Sequence, residues 1–554
     1  MPNIEISKKD LEKLCGRVFT DAQLQDILQF TKMSIEKTDG DTITFKVEDT
    51  NRADLLSVEG LSRELKGIIG KEEGIKEYKI EKSNFIVNIN QKVKKVRPFT
   101  VCAVVKNINF TDETIKQVIQ LQEKLSETFG RKRKEAAIGV YDFDKIKWPI
   151  TYTTYRPEEL SFIPLGFAEK LNLKQILQRH EKGQLYGNLL KDAKEYPIFI
   201  DADENVLSMP PVINSEYSGK VTEETKNVFI EVSGFDQDKI SHILNIIVSA
   251  LAERNGQIYS VELKNKNKIT TPDFKTRSKT MTLEEINYLL GLDLKPKQVQ
   301  DLLKKLRYDV KAKENQFTVE IPFYRKDVIH NVDIIEDIAI AYGFKKFIPL
   351  ENQIFTQGSV LEETNRRQKI SDLLIGLEFQ EIISFILSNK KEQINNMNLK
   401  SEPIIEITNP VSETFTCLRR SLLPSACKFL SNNTTKDFPQ KIFEIGKVLE
   451  PSKIGENKTK ESDILSINIS HAKSNFTEIA QVLDYLMKNL KLEYKLVPID
   501  YSSFIQGRSA EIILIKEKQE KSIGIIGEVC PQVIENWNLK MPLVSLELNF
   551  DALF

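Results

Sequence analysis

The sequence predicts a multidomain α+β protein, on three observations. The chain has 554 residues, and at about 150 residues per domain that length points to three or four domains rather than one core. Hydrophobic residues make up 40% and charged residues 29%, the proportions of soluble globular protein, which excludes collagen-like, disulfide-scaffold and wholly disordered classes. The texture changes three times along the chain and divides it into units at 1–92, 93–268, 269–348 and 349–554. Lys plus Arg number 79 against 80 Asp plus Glu, so there is no basic coat and any nucleic-acid contact must come from local patches.

The first unit opens with helical patterns at 8–15 and 21–31, followed by Thr-Ile-Thr-Phe-Lys-Val at 42–47, whose period of two reads as a strand. The run 51–70 puts Leu55, Leu56, Val58, Leu61 and Leu65 on one helical face, with Gly67 suited to its C-terminal end. These signals make a small α+β module. Between 93 and 268, apolar runs at 99–105, 136–140, 198–200 and 228–232 alternate with helical patterns, which predicts a mixed α/β domain. The stretch 209–221 carries Pro210, Pro211 and Gly219 and reads as a loop. The most apolar segment, 240–251, is interrupted by Ser241, His242, Asn245 and Ser249 and reads as a buried helix, too short and too polar to span a membrane. The third unit has two helices (281–292 and 295–306), a strand (317–322) and a further helical run after Arg325. The fourth begins with a helix at 362–377 and includes a hairpin over 510–529.

Five cysteines lie far apart, with no CxxC pair, and four histidines are scattered without ligand spacing. Zinc clusters, disulfide frameworks and zinc hydrolases are therefore unsupported, and a reducing, cytoplasmic setting is expected. Neither GxxxxGK[ST] nor GxGxxG occurs. Lys32-Met33-Ser34 imitates the start of a KMSKS signature, but Ile35 and Glu36 break it and it reads as ordinary chain between a helix and a strand.

Three constellations carry chemistry. Asp333, Glu336 and Asp337 stand at i, i+3 and i+4, and so share a helical face that Asp327 can fold back over. Such a set suits magnesium, which takes one or two carboxylates among oxygen ligands; helix-start acids favoured by the macrodipole give the same pattern. Ser208, Asn214, Ser215 and Glu216 flank the Pro-Pro pair, where a loop presents short polar groups to a small ligand. Glu231 lies in the middle of an apolar strand, facing either solvent or a pocket. Arg131, Lys132, Arg133 and Lys134 form a basic run suited to phosphate contacts, or simply a solvated face.

Taken together, 49–67, 130–152, 207–216, 321–344, 409–424 and 442–449 resemble, in order and over nearly the whole chain, the β subunit of archaeal and eukaryotic-type phenylalanyl-tRNA synthetases. The resemblance implies a winged-helix-like third unit and a fourth unit built on the class II synthetase antiparallel sheet but without an active site. It implies an α-subunit partner in an (αβ)₂ heterotetramer, tRNA(Phe) as substrate, ATP and Mg²⁺ in the charging reaction, and aminoacylation in the partner. It implies that the second unit edits mischarged Tyr-tRNA(Phe) in a pocket with Ser208, Asn214 and Glu231, Glu231 standing where relatives usually have Asp, and Tyr141 where many have His. It also implies magnesium at Asp327, Asp333, Glu336 and Asp337. Arg131 to Lys134 become candidates for tRNA contact, and Gly507-Arg508 is read as structural. A stand-alone trans-editing or nucleic-acid-binding protein is the alternative; it would need only the second unit, so the presence of all four favours a synthetase subunit.

Overall fold

The computed structural model describes residues 2–265, 268–351, 354, 356–516 and 519–554. The chain forms two compact units, 1–350 and 351–554.

The N-terminal unit begins with a three-stranded sheet in the order Asn3–Ser7, Thr42–Val47, Met33–Asp39, on which helices Lys8–Cys15 and Asp21–Leu28 sit as the pattern predicts. The next helix differs from expectation. It runs Val58–Ile68, with the Ser57 hydroxyl accepting from the Gly60 N–H at 3.1 Å, so it starts seven residues after Asn51. The residues before it are engaged elsewhere: Arg52 pairs with Asp54 at 2.9 Å and with Glu64 at 3.2 Å, all three buried. Buried charges are tolerated only when paired in this way. Gly67 lies at the C-terminal end of the helix, as expected, where a Cβ would stand 2.2 Å from the Lys305 carbonyl oxygen; this close backbone approach is what glycine allows there.

A ten-stranded sheet follows. From one edge its order is Ile213–Asn214, Val206–Met209, Tyr196–Ile200, Ile150–Tyr155, Ile80–Ile89, Gln257–Lys264, Phe99–Lys106, Val228–Gly234 and Ala136–Asp142, with Lys268–Thr271 added on Gln257–Lys264. Strand Ile80–Ile89 pairs in parallel with both Gln257–Lys264 and Ile150–Tyr155, so the framework of this unit begins ahead of residue 93. Helix Gln237–Glu253 packs on the sheet as the buried helix the sequence predicts, with Ile243, Leu244, Ile246, Ile247 and Val248 all at 1% exposure or less. The stretch after Met209 is less irregular than its prolines suggest, since Pro210 and Pro211 turn Val206–Met209 into the antiparallel strand Ile213–Asn214.

Residues 277–342 form the small winged-helix-like part. Its sheet runs Arg277–Thr282, Gln316–Ile321, Asp309–Lys313, covered by helices Leu283–Leu290, Pro296–Lys305 and Asn331–Tyr342 around Ile286, Val299, Leu303, Phe317 and Ile338.

The second unit, taken by itself, is a seven-stranded sheet, antiparallel except where Gln380–Glu381 joins Gln440–Pro451 in parallel. Helices Glu362–Ile375 and Phe476–Leu490 contribute Ile370, Leu374, Ile479 and Leu483 to its core. The hairpin expected over 510–529 is present as Phe504–Lys516 and Gln519–Val529. No described helix in either unit is long and apolar enough to cross a membrane.

Candidate functional site

The ten-stranded sheet curls until its two edge strands meet. Asn214 Nδ2 on one edge strand donates to the Val140 carbonyl on the other at 3.3 Å, and beside it Tyr141 Oη donates at 2.7 Å to Ser208 Oγ on the strand next to the first edge. Ser208 and Asn214 are directly paired across the Pro210–Pro211 turn. Beside the seam lies a cavity of about 290 Å³, lined by Ser208, Asn214 and Glu231 among apolar residues such as Phe110, Ile115, Ile138 and Val140. The strand pattern therefore brings together the three residues that the sequence suggested for a pocket.

Glu231 faces inward, 2% exposed, paired in register with Gly139 on one side and Cys102 on the other. Its Oε1 meets Tyr141 Oη at 3.1 Å, while Oε2 is buried without a hydrogen-bond partner. Burial pushes this carboxyl up to about 8, against the opposing pull of the Tyr141 hydrogen bond, of Arg97 and of the Ser233 hydroxyl. At neutral pH the group is mainly a neutral carboxylic acid, able to donate as well as accept. A buried polar atom left unpaired is costly, and Oε2 is such an atom beside the cavity.

The basic run divides. Arg131, Lys132 and Arg133 all adopt positive φ, at 47°, 53° and 66°. In this strained turn Arg131, Lys132 and Lys134 are exposed, whereas Arg133 points back to the cavity. Its Nη1 donates to the Pro211 and Val212 carbonyls at 3.2 and 2.9 Å, and its guanidinium lies 4.3 Å from the Tyr186 ring centroid. Arg133 thus braces the turn that carries Asn214.

Asp327, Asp333, Glu336 and Asp337 gather around a small polar cavity of about 40 Å³, together with Lys32, Asp49, Arg52 and Arg325. Each acid has a partner, Arg325 serving two of them. Arg325 binds Asp327 through three bonds of 2.8–3.1 Å and Asp337 at 2.6 Å; Tyr308 Oη also donates to Asp337. Asp333 accepts from the Ile329 and His330 N–H groups at 2.7 and 2.6 Å at the start of helix Asn331–Tyr342. Glu336 pairs with Lys32 at 2.9 Å, and Lys32 also holds Asp49 at 2.8 Å. Burial works against the charge of Arg325, and Asp337, Tyr308 and Asp327 more than restore it. Among the described residues no group of three or more His, Cys, Asp or Glu is placed to hold a metal ion. As arranged in this chain the four acids are held by Arg325, Lys32 and two backbone N–H groups.

Tyr141, Lys32 and Arg325 were given no role in these sites by sequence reasoning. Tyr141 could have been found from the alternation of Ala136–Asp142, which puts it on the same face as Gly139. Lys32, 304 positions from its partner Glu336, carried no local signal. In the second unit Arg508 pairs with Glu528 at 2.7 Å and Arg419 with the buried Glu444 at 2.8 Å.

Three domain families match along the chain: the B3/4 domain at 83–254, the tRNA synthetase B5 domain at 279–344, and the phenylalanyl tRNA synthetase beta chain CLM domain at 352–550. Their succession defines a component of an aminoacyl-tRNA ligase. The phenylalanine–tRNA ligase beta subunit of Pyrococcus horikoshii is 41% identical over 100% of both chains, and that of Methanocaldococcus jannaschii 38% identical over 100% of both. The crystal structure of an N-terminal fragment of the P. horikoshii beta subunit superposes with a TM-score of 0.60 at 43% identity, covering 62% of this chain and all of the fragment. The chain belongs to the family of phenylalanine–tRNA ligase beta subunits; it is a ligase component with the beta-chain role in tRNA charging, and its partners include an alpha subunit and tRNA.

Proposed function

We propose that this chain, assembled with the alpha subunit as an (αβ)₂ tetramer in the cytoplasm, leaves aminoacylation to its partner and supplies hydrolytic editing of Tyr-tRNA(Phe). ATP and Mg²⁺ serve the charging reaction of the assembled enzyme. The observation that carries the editing reading is the unpaired Oε2 of Glu231 in an apolar cavity of about 290 Å³, near the small end of the range for ligand sites, about 300–1,000 Å³. A pocket shaped for phenylalanine rejects an added hydroxyl by only about a hundredfold, so a second pocket that hydrogen-bonds that hydroxyl removes the error. Glu231 and Ser208 would hold the phenol end of tyrosine, and Asn214 would shape the wall at the seam. Water adds to the ester carbonyl, the bond between that carbon and the ribose oxygen breaks, and the ribose oxygen takes up the proton.

The exposed Arg131, Lys132 and Lys134 would contact tRNA phosphates, with Arg133 reserved for the pocket wall. The acids at 327, 333, 336 and 337 act as an ion-pair network, and no step is routed through magnesium there. The test of the editing reading is release of tyrosine from Tyr-tRNA(Phe) by the assembled enzyme. Asn214→Ala and Glu231→Gln should each slow it by tenfold or more; wild-type rates in both would remove the pocket from the reaction.

A further inference from the structure

The phenol of Tyr141 touches both residues assigned to the ligand's hydroxyl while standing outside the cavity lining. We propose that Tyr141 is a positioning residue that sets the hydroxyl selectivity of this pocket, holding Glu231 Oε1 through a Glu231–Tyr141–Ser208 relay so that Oε2 faces the ligand. The proposal rests on the editing reading of the cavity.

Strand register makes the relay possible. Glu231 is paired directly with Gly139, and Tyr141 follows two residues later on the same face. Having no side chain, Gly139 leaves a gap that the Tyr141 phenol fills; a Cβ at Gly139 would stand 2.1 Å from Tyr141 Oη and 2.5 Å from Cζ. The ring is fixed from the other side by Phe229, stacked at 5.6 Å between centroids. Tyr141 is fully buried, so neither water nor a second rotamer competes for its hydroxyl.

Proton counting gives the direction of the relay. A phenol has one hydrogen, and Tyr141 is the donor toward both Ser208 Oγ at 2.7 Å and Glu231 Oε1 at 3.1 Å. With Oε1 accepting, the carboxyl proton of the neutral acid sits on Oε2, which has no hydrogen-bond partner. A tyrosine side chain entering the cavity brings a hydroxyl oxygen to accept it, whereas a phenylalanine side chain leaves it orphaned, and that difference is what the pocket can read. Arg97, Tyr152 and Cys102 are the other titratable groups whose charge bears on Glu231 within the sheet, and Arg133, Lys182, Lys220 and Glu123 line the same cavity.

The experiment compares tyrosine and phenylalanine release from charged tRNA(Phe) by the assembled enzyme across pH 6–10. Tyr141→Phe keeps the ring and removes the hydroxyl. It should reduce the tyrosine-over-phenylalanine preference about tenfold, the effect of one lost buried hydrogen bond. Because the Tyr141 bond favours the ionised carboxylate, its removal should also move the alkaline fall in rate above the wild-type inflection near 8. A packing role alone would lower the rate without moving that inflection. Where Tyr141→Phe assembles poorly, Ser208→Ala is read by the inflection: it leaves the Tyr141 hydrogen wholly to Glu231 Oε1 and should move the inflection below the wild-type value, whereas loss of a ligand contact alone lowers the preference and leaves the inflection in place, which would overturn the relay. Unchanged preference and inflection in Tyr141→Phe, with Glu231→Gln inactive, would overturn the role of Tyr141 alone. Wild-type tyrosine release by Glu231→Gln would overturn the editing reading and this proposal with it.

Discussion

Arg325→Met tests whether the four acids at 327–337 are held by an arginine or by a cation. Arg325 is 2% exposed and gives three bonds to Asp327 and one to Asp337, itself 6% exposed. Removing one partner of a buried ion pair costs about 3–5 kcal/mol, because the remaining charge is left uncompensated. The N-terminal unit comprises 350 residues; at about 2.1 cal/mol/K of unfolding entropy per residue, that cost lowers its melting temperature by about 4–7 °C. Calorimetry with and without several millimolar magnesium is the assay. The expected result is a drop of that size that magnesium does not reverse, together with a smaller combined loss in Arg325→Met/Asp337→Asn than the sum of the single variants, since the double variant removes one orphaned charge. An unchanged midpoint in Arg325→Met, or its recovery on adding magnesium, would refute the ion-pair assignment.

Other expectations follow from the pocket and the basic turn. Glu231 keeps its proton up to about pH 8 in the fold, while the unfolded chain releases it near 4.3, so wild-type stability falls as pH rises between those values. Glu231→Gln has no such proton to lose, so its melting temperature relative to wild type should climb from about pH 4.5 to 8 and then level; a flat difference across that window would show a carboxyl that is not buried and neutral. Gly139→Ala should displace the Tyr141 phenol, costing about 1–3 kcal/mol in stability by overpacking and slowing tyrosine release, both measurable on one preparation. Replacing Arg131, Lys132 and Lys134 with glutamine should flatten the logarithmic salt dependence of tRNA binding by roughly 2. Arg133→Gln should leave that slope in place and instead slow tyrosine release, because its bonds go to the Pro211 and Val212 carbonyls.

The local elements were readable because their signals are local. Ser7 and Thr20 cap the first two helices through their hydroxyls, and alternation marks Thr42–Val47 and Gln316–Ile321. Ser208, Asn214 and Glu231 were legible as chemistry, since polar groups on apolar strands are unusual, yet nothing in the chain states that a curled sheet brings residues 141 and 208 into contact. The helix in 51–70 starts later than the pattern suggests for a related reason: Arg52, within that run, is used in ion pairs with Asp54 and with Glu64. The acids at 327–337 were correctly grouped, while their partners Lys32 and Arg325 lie outside what helical spacing reveals. Spacing reports which charges share a face and is silent on what neutralises them.

The pairing of Ile80–Ile89 with Gln257–Lys264 has a consequence for biosynthesis. Ser83 Oγ donates to the carbonyl of Ser260, 177 positions later, so the sheet cannot close until the second strand has left the ribosome. At about 5–20 residues per second that interval lasts roughly 9–35 s. Gln257–Lys264 lies between Ile80–Ile89 and Phe99–Lys106, so until it emerges the half of the sheet that carries Ser208 is not joined through it to the half that carries Tyr141 and Glu231.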